Sequence, residues 1–276
     1  MELRTVVVEI AIAAFYDNQP QCRPRKSLTI QPSGEVRLQL IASFLFRRRQ
    51  VWLPTLWGVV VLLLLSAAGL LGCAHLAYGF LAPHQPATTN DGRGARTLVV
   101  EGWLDEAELG QAVAVFRSGR YERVLTTGGP IESWQGLLPW RSYAQRAAEH
   151  LRSHGLEGVP VLAVAAPASA QDRTFLSAVM VREWARQAGV TLDAVDVFSG
   201  GVHARRSWLV YRMALGDAVA VGVFAATPKE YEPARWWRTS AGAKTVIGES
   251  LSLAWTKCCF WPGTPGSHEE RWGVLR

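Results

Sequence analysis

The sequence predicts an α/β fold with a mostly parallel sheet, preceded by one transmembrane helix. Two observations support this prediction. A single long apolar stretch lies in the first third of the 276-residue chain. After about residue 97, short runs rich in β-branched residues alternate with runs of helical period, which is the pattern of strand–helix–strand units.

The apolar stretch runs from Val51 to about Ala82 and contains no Asp, Glu, Lys or Arg. A helix that rises about 1.5 Å per residue needs roughly 20 apolar residues to cross the hydrocarbon core of a bilayer, so this stretch is long enough. Three arginines, Arg47 to Arg49, precede it, whereas the first basic residue after it is Arg93. The positive-inside bias then predicts a cytoplasmic N-terminus and an extracytoplasmic C-terminal domain.

Two alternatives to a transmembrane helix remain open. The stretch could be a cleaved secretory signal, although it is longer than a typical signal core. Leu70-Leu71-Gly72-Cys73 also has the form of a lipoprotein signal, in which Cys73 would be acylated. Under either alternative the folded domain stays on the outer side of the membrane.

We expect five segments along the chain. They are a poorly ordered cytoplasmic tail (1–50), the transmembrane helix (51–82), a flexible linker rich in Pro, Gly, Asn and Thr (83–96), the α/β domain (97–257) and a C-terminal tail (258–276). The net charge of +6 is shared between the residues before the domain and the domain itself. The acidic and basic residues of the domain are nearly equal in number, so the sequence shows no excess of positive charge that would bind nucleic acid, and we expect no nucleic-acid binding.

The cysteine positions predict no disulfide bond between distant parts of the domain. Cys258 and Cys259 are adjacent, so we expect no disulfide between separate elements, and a vicinal bond between these two residues is the alternative.

The order of the elements predicts the topology of the domain. Strands are expected at 97–101, 123–127, 159–165, 194–199 and 218–225, and helices at 106–117, 141–153, 174–187, 203–215 and 239–257. This alternation implies right-handed crossovers and a doubly wound, Rossmann-like, five-stranded sheet. In such a sheet, ligands bind outside the carboxyl ends of the strands.

Three stretches at that edge carry candidate ligand-binding residues. Gly128 and Gly129 follow the second strand and allow a close backbone approach to a ligand, although a plain turn explains them equally well. The residues Asp172, Arg173 and Thr174 precede the third helix, where capping of that helix is the simpler explanation.

The third stretch, Ser199 to Arg206, is the most suggestive of a site. A glycine turn that opens a helix favours an anion, His203 could carry a proton, and Arg205 or Arg206 could hold a phosphate or carboxylate. Adjacent helical residues point about 100° apart, so at most one of the two arginines should serve the site. A histidine at a helix start with solvated arginines is the ordinary alternative.

A carboxylate completes the candidate site. Glu101 ends the first strand, where it could act as a base or as a metal ligand, or could simply form a salt bridge. His150 and His154 lie four residues apart on one helix, but without a third ligand they predict no metal site.

These motifs resemble the SanA, ElyC and YdcF family of bacterial envelope proteins. Thr127-Gly128-Gly129, Arg173-Thr174, and His203 with Arg205-Arg206 are similar to the family's elements after strand two, before helix three and after strand four. The stretch from Trp236 to Glu249 is similar to the tail of a membrane-anchored subgroup. The turn at Glu101-Gly102-Trp103 departs from the family, which usually has a Leu-Gly turn there.

The resemblance implies a Rossmann-like domain on a single anchor in the bacterial plasma membrane, with a role in the envelope barrier or in peptidoglycan metabolism. We expect the domain to bind or process a phosphorylated or nucleotide-like envelope precursor, with His203 and Glu101 as candidate catalytic residues. The sequence specifies no cofactor and leaves open whether the protein is an enzyme. The alternative is a non-catalytic envelope factor that binds a partner protein through its Trp-rich stretch, Arg235 to Arg238.

Overall fold

The structure is a computed structural model that describes residues 53–131, 139–168 and 172–272. The predicted cytoplasmic tail and the Arg47–Arg49 triplet lie outside the described residues. The chain falls into two units, Met1–Trp57 and Gly58–Arg276, and the second contains the sheet and the helices packed on it.

The first helix, α1, spans Leu56–Leu81. It is long and apolar enough to cross a membrane, with a mean hydropathy of 2.4 over its most apolar 18 residues, none of which is buried in the protein. This agrees with the prediction of one helix of spanning length. Cys73, the residue that a lipoprotein signal would acylate, is exposed on α1.

One mostly parallel sheet of six strands forms the centre of the domain. The strands are β1 (His84–Gln85), β2 (Thr97–Glu101), β3 (Arg123–Gly128), β4 (Val161–Ala165), β5 (Ala194–Gly200) and β6 (Ala220–Ala226), and they lie in the order β1-β6-β5-β2-β3-β4. The expected count of five was therefore one too low. The additional strand, β1, pairs antiparallel with β6 and has two residues, too few to show a strand period.

Helices cover both faces of the sheet. They are α2 (Glu106–Ser118), α3 (Tyr143–Ser153), α4 (Arg173–Ala188), α5 (Ala204–Leu215), α6 (Ser240–Cys259) and the short α7 (His268–Trp272), with 3₁₀ turns at Gly201–His203 and Pro233–Arg238.

Alternate residues of each strand point into two separate cores. Leu98 and Val100 of β2 pack with α2 and α3, whereas Val99 packs with α4, α5 and α6. Side chains that alternate across a strand reach opposite faces of the sheet, so a strand that is apolar at every position is buried on both faces.

The segment predicted as a flexible linker is packed against the domain. Besides β1, it has buried Ala87 and Ala95, and Thr88 forms an isolated bridge with Gly94. The backbone N–H of Ala87 donates to the Asp196 carboxylate at 2.7 Å. Small residues fit closely against the sheet edge, a property that the Pro- and Gly-rich composition does not reveal.

The predicted C-terminal tail also contacts the domain. A disulfide joins Cys258 and Cys259 at the end of α6, where the sequence favoured free cysteines. Further on, the buried Glu270 of α7 accepts a hydrogen bond from Arg182 at 2.6 Å. The vicinal bond, which was the alternative, is therefore the one present, and it joins no separate elements.

Candidate functional site

A cavity of about 1170 Å³ lies at the carboxyl ends of the central strands. Its lining comes from the ends of β2, β3 and β4, the first turn of α4, and residues of α5 and α6. The strand order reverses between β2 and β5, beside this cavity. In open α/β sheets, ligands bind in the crevice at that point of reversal.

The cavity brings together most of the residues that the sequence singled out. Its lining includes Glu101, Gly128, Gly129, Asp172, Arg173, Thr174, His203 and Arg206. Arg205 does not line it. The Arg205 Nε atom instead donates to the carbonyl oxygen of Phe80 at 2.8 Å, and its guanidinium lies over the Phe80 ring.

Glu101 is buried at the end of β2 with only 3% of its surface exposed. Its Oε2 atom accepts hydrogen bonds from Ser199 Oγ at 2.7 Å and Trp103 Nε1 at 3.0 Å, and its Oε1 atom accepts one from Ser207 Oγ at 2.7 Å. All three donors are neutral. Hydrogen bonds to a carboxylate are stronger than bonds between neutral groups, so this set fixes the carboxylate firmly.

His203 lies between two carboxylates. Its Nδ1 atom is 3.1 Å from Glu249 Oε1, and its Nε2 atom is 3.3 Å from Thr174 Oγ1 and 4.0 Å from Glu101 Oε2. The Trp103 ring meets the imidazole edge-on at 5.3 Å. A histidine held in this way has one nitrogen oriented by a carboxylate and the other available in the cavity.

The contacts of Nδ1 determine which tautomer the ring adopts. Arg206 Nη2 also lies 3.1 Å from this atom, but the same nitrogen cannot both donate to Glu249 and accept from Arg206. The carboxylate can only accept, and Arg206 has other acceptors, so we assign the proton to Nδ1. The Nε2 lone pair then accepts the Thr174 hydroxyl.

Arg206 is held by two acidic side chains. Its Nε atom donates to Glu249 Oε2 at 3.0 Å and its Nη1 atom to Asp172 Oδ2 at 3.3 Å. These partners overcome the effect of burial and raise the pKa of Arg206. Burial alone would raise the pKa of Glu249, but hydrogen bonds from His203 and Arg206 outweigh it and lower the pKa to about 2.

Asp172 has a second role in the same place. Its Oδ1 atom accepts the backbone N–H groups of Thr174 and Phe175, at 3.0 and 3.1 Å, and so caps α4. The capping that the sequence suggested is present. Because the cap occupies these N–H groups, they cannot also bind an anion.

Arg173 differs from Arg206 because it is exposed at the cavity. Its side chain takes part in no hydrogen bond or ion pair with the described residues. With respect to those residues, a ligand can engage its guanidinium without displacing a protein partner.

Glycines at the ends of β2 and β3 allow neighbouring atoms to approach the backbone closely. Gly128 has a φ of +148°, and a Cβ there would lie 2.8 Å from the Tyr143 Cβ, whereas a Cβ on Gly129 would meet only open space. At Gly102 a Cβ would overlap the carbonyl oxygens of Tyr143 and Thr127. A side chain is therefore excluded at Gly102 and Gly128, where Tyr143 packs closely, and Gly128 and Gly129 contribute backbone to the cavity wall.

Several functional neighbours were missed by sequence reasoning. Glu249 was noted only as part of a resemblance, and Tyr143 and Trp255 of the cavity lining were not considered. Glu249 comes from the last long helix, 46 residues after His203, so no local spacing links the two. The sequence signal that could have identified Glu249 is an acidic residue among the mostly uncharged residues of the predicted last helix.

The Trp-rich stretch does not face the cavity. Trp236 is buried and its Nε1 atom donates to the carbonyl oxygen of Ala74 in α1 at 2.9 Å, while Trp237 lies edge-on to His75 at 4.6 Å. Both rings therefore contact the apolar helix.

Among residues 53–131, 139–168 and 172–272, no group of three His, Cys, Asp or Glu side chains is arranged to hold a metal.

Comparison with known proteins adds no further constraint on the site: no protein-family model, no curated protein and no solved structure matches this chain.

Proposed function

We propose that this chain is a membrane-anchored envelope protein whose extracytoplasmic domain binds or processes a phosphorylated or nucleotide-like ligand. The domain is Rossmann-like and doubly wound under this proposal. The five parallel strands support that assignment because they lie in the order β4-β3-β2-β5-β6, which is the 3-2-1-4-5 order of dinucleotide-binding folds. Helices on both faces are the second support.

The anchor in this proposal is α1, with its N-terminal side in the cytoplasm of a bacterial cell. The length and hydropathy of the helix support the anchor, and the arginines before it support the orientation. The motifs shared with SanA, ElyC and YdcF support a place in the envelope. Acylation at Cys73 is the alternative means of attachment.

The single observation that supports the ligand assignment is that Arg173 and His203 line the same cavity. Arg173 offers a guanidinium that has no ion-pair partner among the described residues, and this group matches a phosphate or carboxylate well. Gly129 offers an open backbone approach beside it. The cavity volume of about 1170 Å³ accommodates a molecule of nucleotide size.

His203 is the proton carrier of the proposed site. Glu249 holds the Nδ1–H, so Nε2 takes a proton from a ligand hydroxyl or from water. Glu101 supports the positive charge that His203 then gains, from 4.0 Å away. Glu101, held in place by three hydrogen bonds, acts in this proposal through its charge.

Ligand binding by the detergent-solubilised full chain tests this assignment. Nucleotides, sugar nucleotides and phosphate monoesters are screened by thermal shift, and affinities are measured for wild type, Arg173→Ala and the matched control Arg186→Ala. Arg186 lies on the same helix, but its partner is Glu183. We expect Arg173→Ala to weaken binding by about tenfold or more, as loss of a charge-assisted pair would, and Arg186→Ala to bind like wild type.

Equal binding by both variants would contradict the role of Arg173, and the absence of binding across the three ligand classes would contradict the ligand assignment.

The orientation of the protein in the membrane is tested separately by fusing alkaline phosphatase or green fluorescent protein after residue 276. An active phosphatase and a dark fluorescent protein support the orientation, and the reverse pattern contradicts it. If Cys73→Ala stays attached to the membrane and its mass differs from that of the wild type only by the substitution itself, Cys73 is not acylated; a larger difference supports acylation.

A further inference from the structure

α6 is apolar on its outer face as well as on its core face. Val246 and Leu253 point into the core, whereas Ile247, Leu251 and Trp255 are 53%, 67% and 52% exposed. These three residues follow one another at intervals of four, so they form one continuous stripe along the helix. A soluble surface helix normally carries polar residues on that side.

The outer stripe carries no charge along its length. Between Lys244 and Lys257 the charged residue of α6 is Glu249, and it turns inward to His203. The stripe is therefore an apolar surface with a lysine near each end. Contiguous exposed apolar surface marks a contact with a partner or with a membrane.

The position of α1 favours the membrane. A helix of 26 residues is about 39 Å long, whereas the hydrocarbon core is about 30 Å thick, so roughly six residues extend beyond the core. The last turns of α1 are also the ones that contact the domain, from Ala74, which accepts from Trp236, to the buried Leu81. No spacer separates the spanning part of the helix from the domain.

Both ends of α6 lie near those last turns of α1. Trp237, which contacts His75 of α1, comes three residues before α6 begins at Ser240. Near the other end, the Lys257 ammonium lies 5.8 Å from the centre of the Phe80 ring. α6 is thus held beside the place where α1 leaves the domain.

We propose that the outer stripe of α6, formed by Ile247, Leu251 and Trp255, lies in the lipid interface next to α1. This proposal rests on α1 being the membrane anchor of the proposed function. Apolar and Trp side chains enter the boundary between headgroups and acyl chains, and the flanking lysines contact anionic headgroups. Trp255 also lines the cavity, so the cavity opens beside the bilayer and receives its ligand at the membrane surface.

Photo-crosslinking in lipid nanodiscs tests the proposal with the full chain. Benzoylphenylalanine is placed at Leu251 on the stripe, at Leu63 within α1 as the anchor control, and at Gln187 as an exposed control at the far end of α4. The nanodiscs contain phosphatidylethanolamine and phosphatidylglycerol. After irradiation, the yield of phospholipid adduct is measured by mass spectrometry.

We expect adducts at Leu63 and Leu251, each at about tenfold the yield at Gln187, because the photoprobe reacts only with acyl chains within its reach. Adducts at Leu63 with none at Leu251 would overturn the docking of α6 and leave the anchor intact. The absence of adducts at both Leu63 and Leu251 would overturn the anchor as well. Crosslinks from Leu251 to a second copy of the chain would assign the stripe to a protein contact and overturn the proposal.

Discussion

Two carboxylates approach His203, and the protein holds them in different ways. Glu101 is almost fully buried, and its oxygens accept hydrogen bonds from neutral donors. Glu249 is more open, with 18% of its side chain exposed, and it is paired with the guanidinium of Arg206 and the imidazole of His203. The first carboxylate is fixed by neutral dipoles, whereas the second is compensated by charge.

This difference separates two tasks at one site. The charged partners lower the pKa of Glu249 to about 2, so it remains an anion under all ordinary conditions and keeps the imidazole oriented. Glu101 accepts its hydrogen bonds from neutral donors, and His203 Nε2 lies 4.0 Å from its Oε2 atom. In the proposed function, this carboxylate stabilises the charge that His203 gains when it accepts a proton from a ligand.

The largest effect is expected from Glu101→Ala, because it removes the carboxylate that accepts hydrogen bonds from the fully buried hydroxyls of Ser199 and Ser207 and from the partly exposed Trp103. An unsatisfied buried polar group costs about 1 to 3 kcal/mol, so we expect a loss of about 3 to 5 kcal/mol in the free energy of unfolding. Chemical denaturation of the full chain in detergent measures this loss. Glu230→Ala, at an exposed position, is the control and should change stability by less than about 0.5 kcal/mol. Equal losses in the two variants would show that the hydrogen bonds of Glu101 do not stabilise the fold.

A smaller and pH-dependent effect is expected from Glu249→Gln. The pKa of Glu249 is lowered from 4.5 to about 2 in the folded protein. Its ionised form therefore adds stability above pH 4.5, and this contribution is lost as the pH falls toward 2. The shift corresponds to about 3 kcal/mol at neutral pH.

Denaturation curves of wild type and Glu249→Gln at a series of pH values measure that contribution. The two proteins should differ most at neutral pH, and their stabilities should converge as the pH approaches 2. A difference that is independent of pH would show that the ion pairs of Glu249 do not stabilise the fold.

A third prediction concerns the hydrogen bonds that the two serine hydroxyls donate to Glu101. Ser199→Ala and Ser207→Ala should each cost about 1.5 kcal/mol, the lower end of the range for a hydrogen bond to a charged group. The two hydroxyl oxygens are 3.1 Å apart and donate to the same carboxylate, so the double variant should differ from the sum by about 0.5 kcal/mol or more. A double-mutant cycle measures this coupling, and strict additivity would mean that the two serines act independently.

The smallest effect is expected from Tyr211→Phe. The Tyr211 hydroxyl is fully buried and lies 3.3 Å from Thr127 Oγ1, so its removal should cost about 0.5 to 1 kcal/mol. Burial raises the pKa of Tyr211, so the hydroxyl stays protonated and the cost should be constant between about pH 5 and pH 9. Unfolding curves across this range test the prediction, and a cost that varies with pH would contradict it.

Much of the fold could be predicted from local patterns. The alternation of strands and helices is visible in the sequence because each parallel strand contains consecutive apolar or β-branched residues and the helices show an apolar period. Because ligands bind at the carboxyl ends of parallel strands, the sequence also predicts that Glu101, His203 and Thr174 lie near one another, and His203 Nε2 is 3.3 Å from Thr174 Oγ1 and 4.0 Å from Glu101 Oε2.

The remainder depends on contacts that no local pattern encodes. Glu249 reaches His203 only because α6 returns across the end of the sheet, and Arg205 turns to Phe80 because α1 is docked there. The packing of residues 83–96 depends on Ala87 and Ala95 fitting against the sheet edge. Composition shows polar and turn-forming residues in that segment but not the surface that receives them.

The short strand β1 covers one edge of the sheet. It occupies the outer edge of β6, pairing Gln85 with Val223, and β6 is a run of seven uncharged residues. Unpaired edges of this kind recruit strands from other molecules. A version of the protein that begins at Arg96 would lack this cover, so the shortened protein should self-associate through its sheets, and its behaviour in solution would reflect that aggregation more than the native domain.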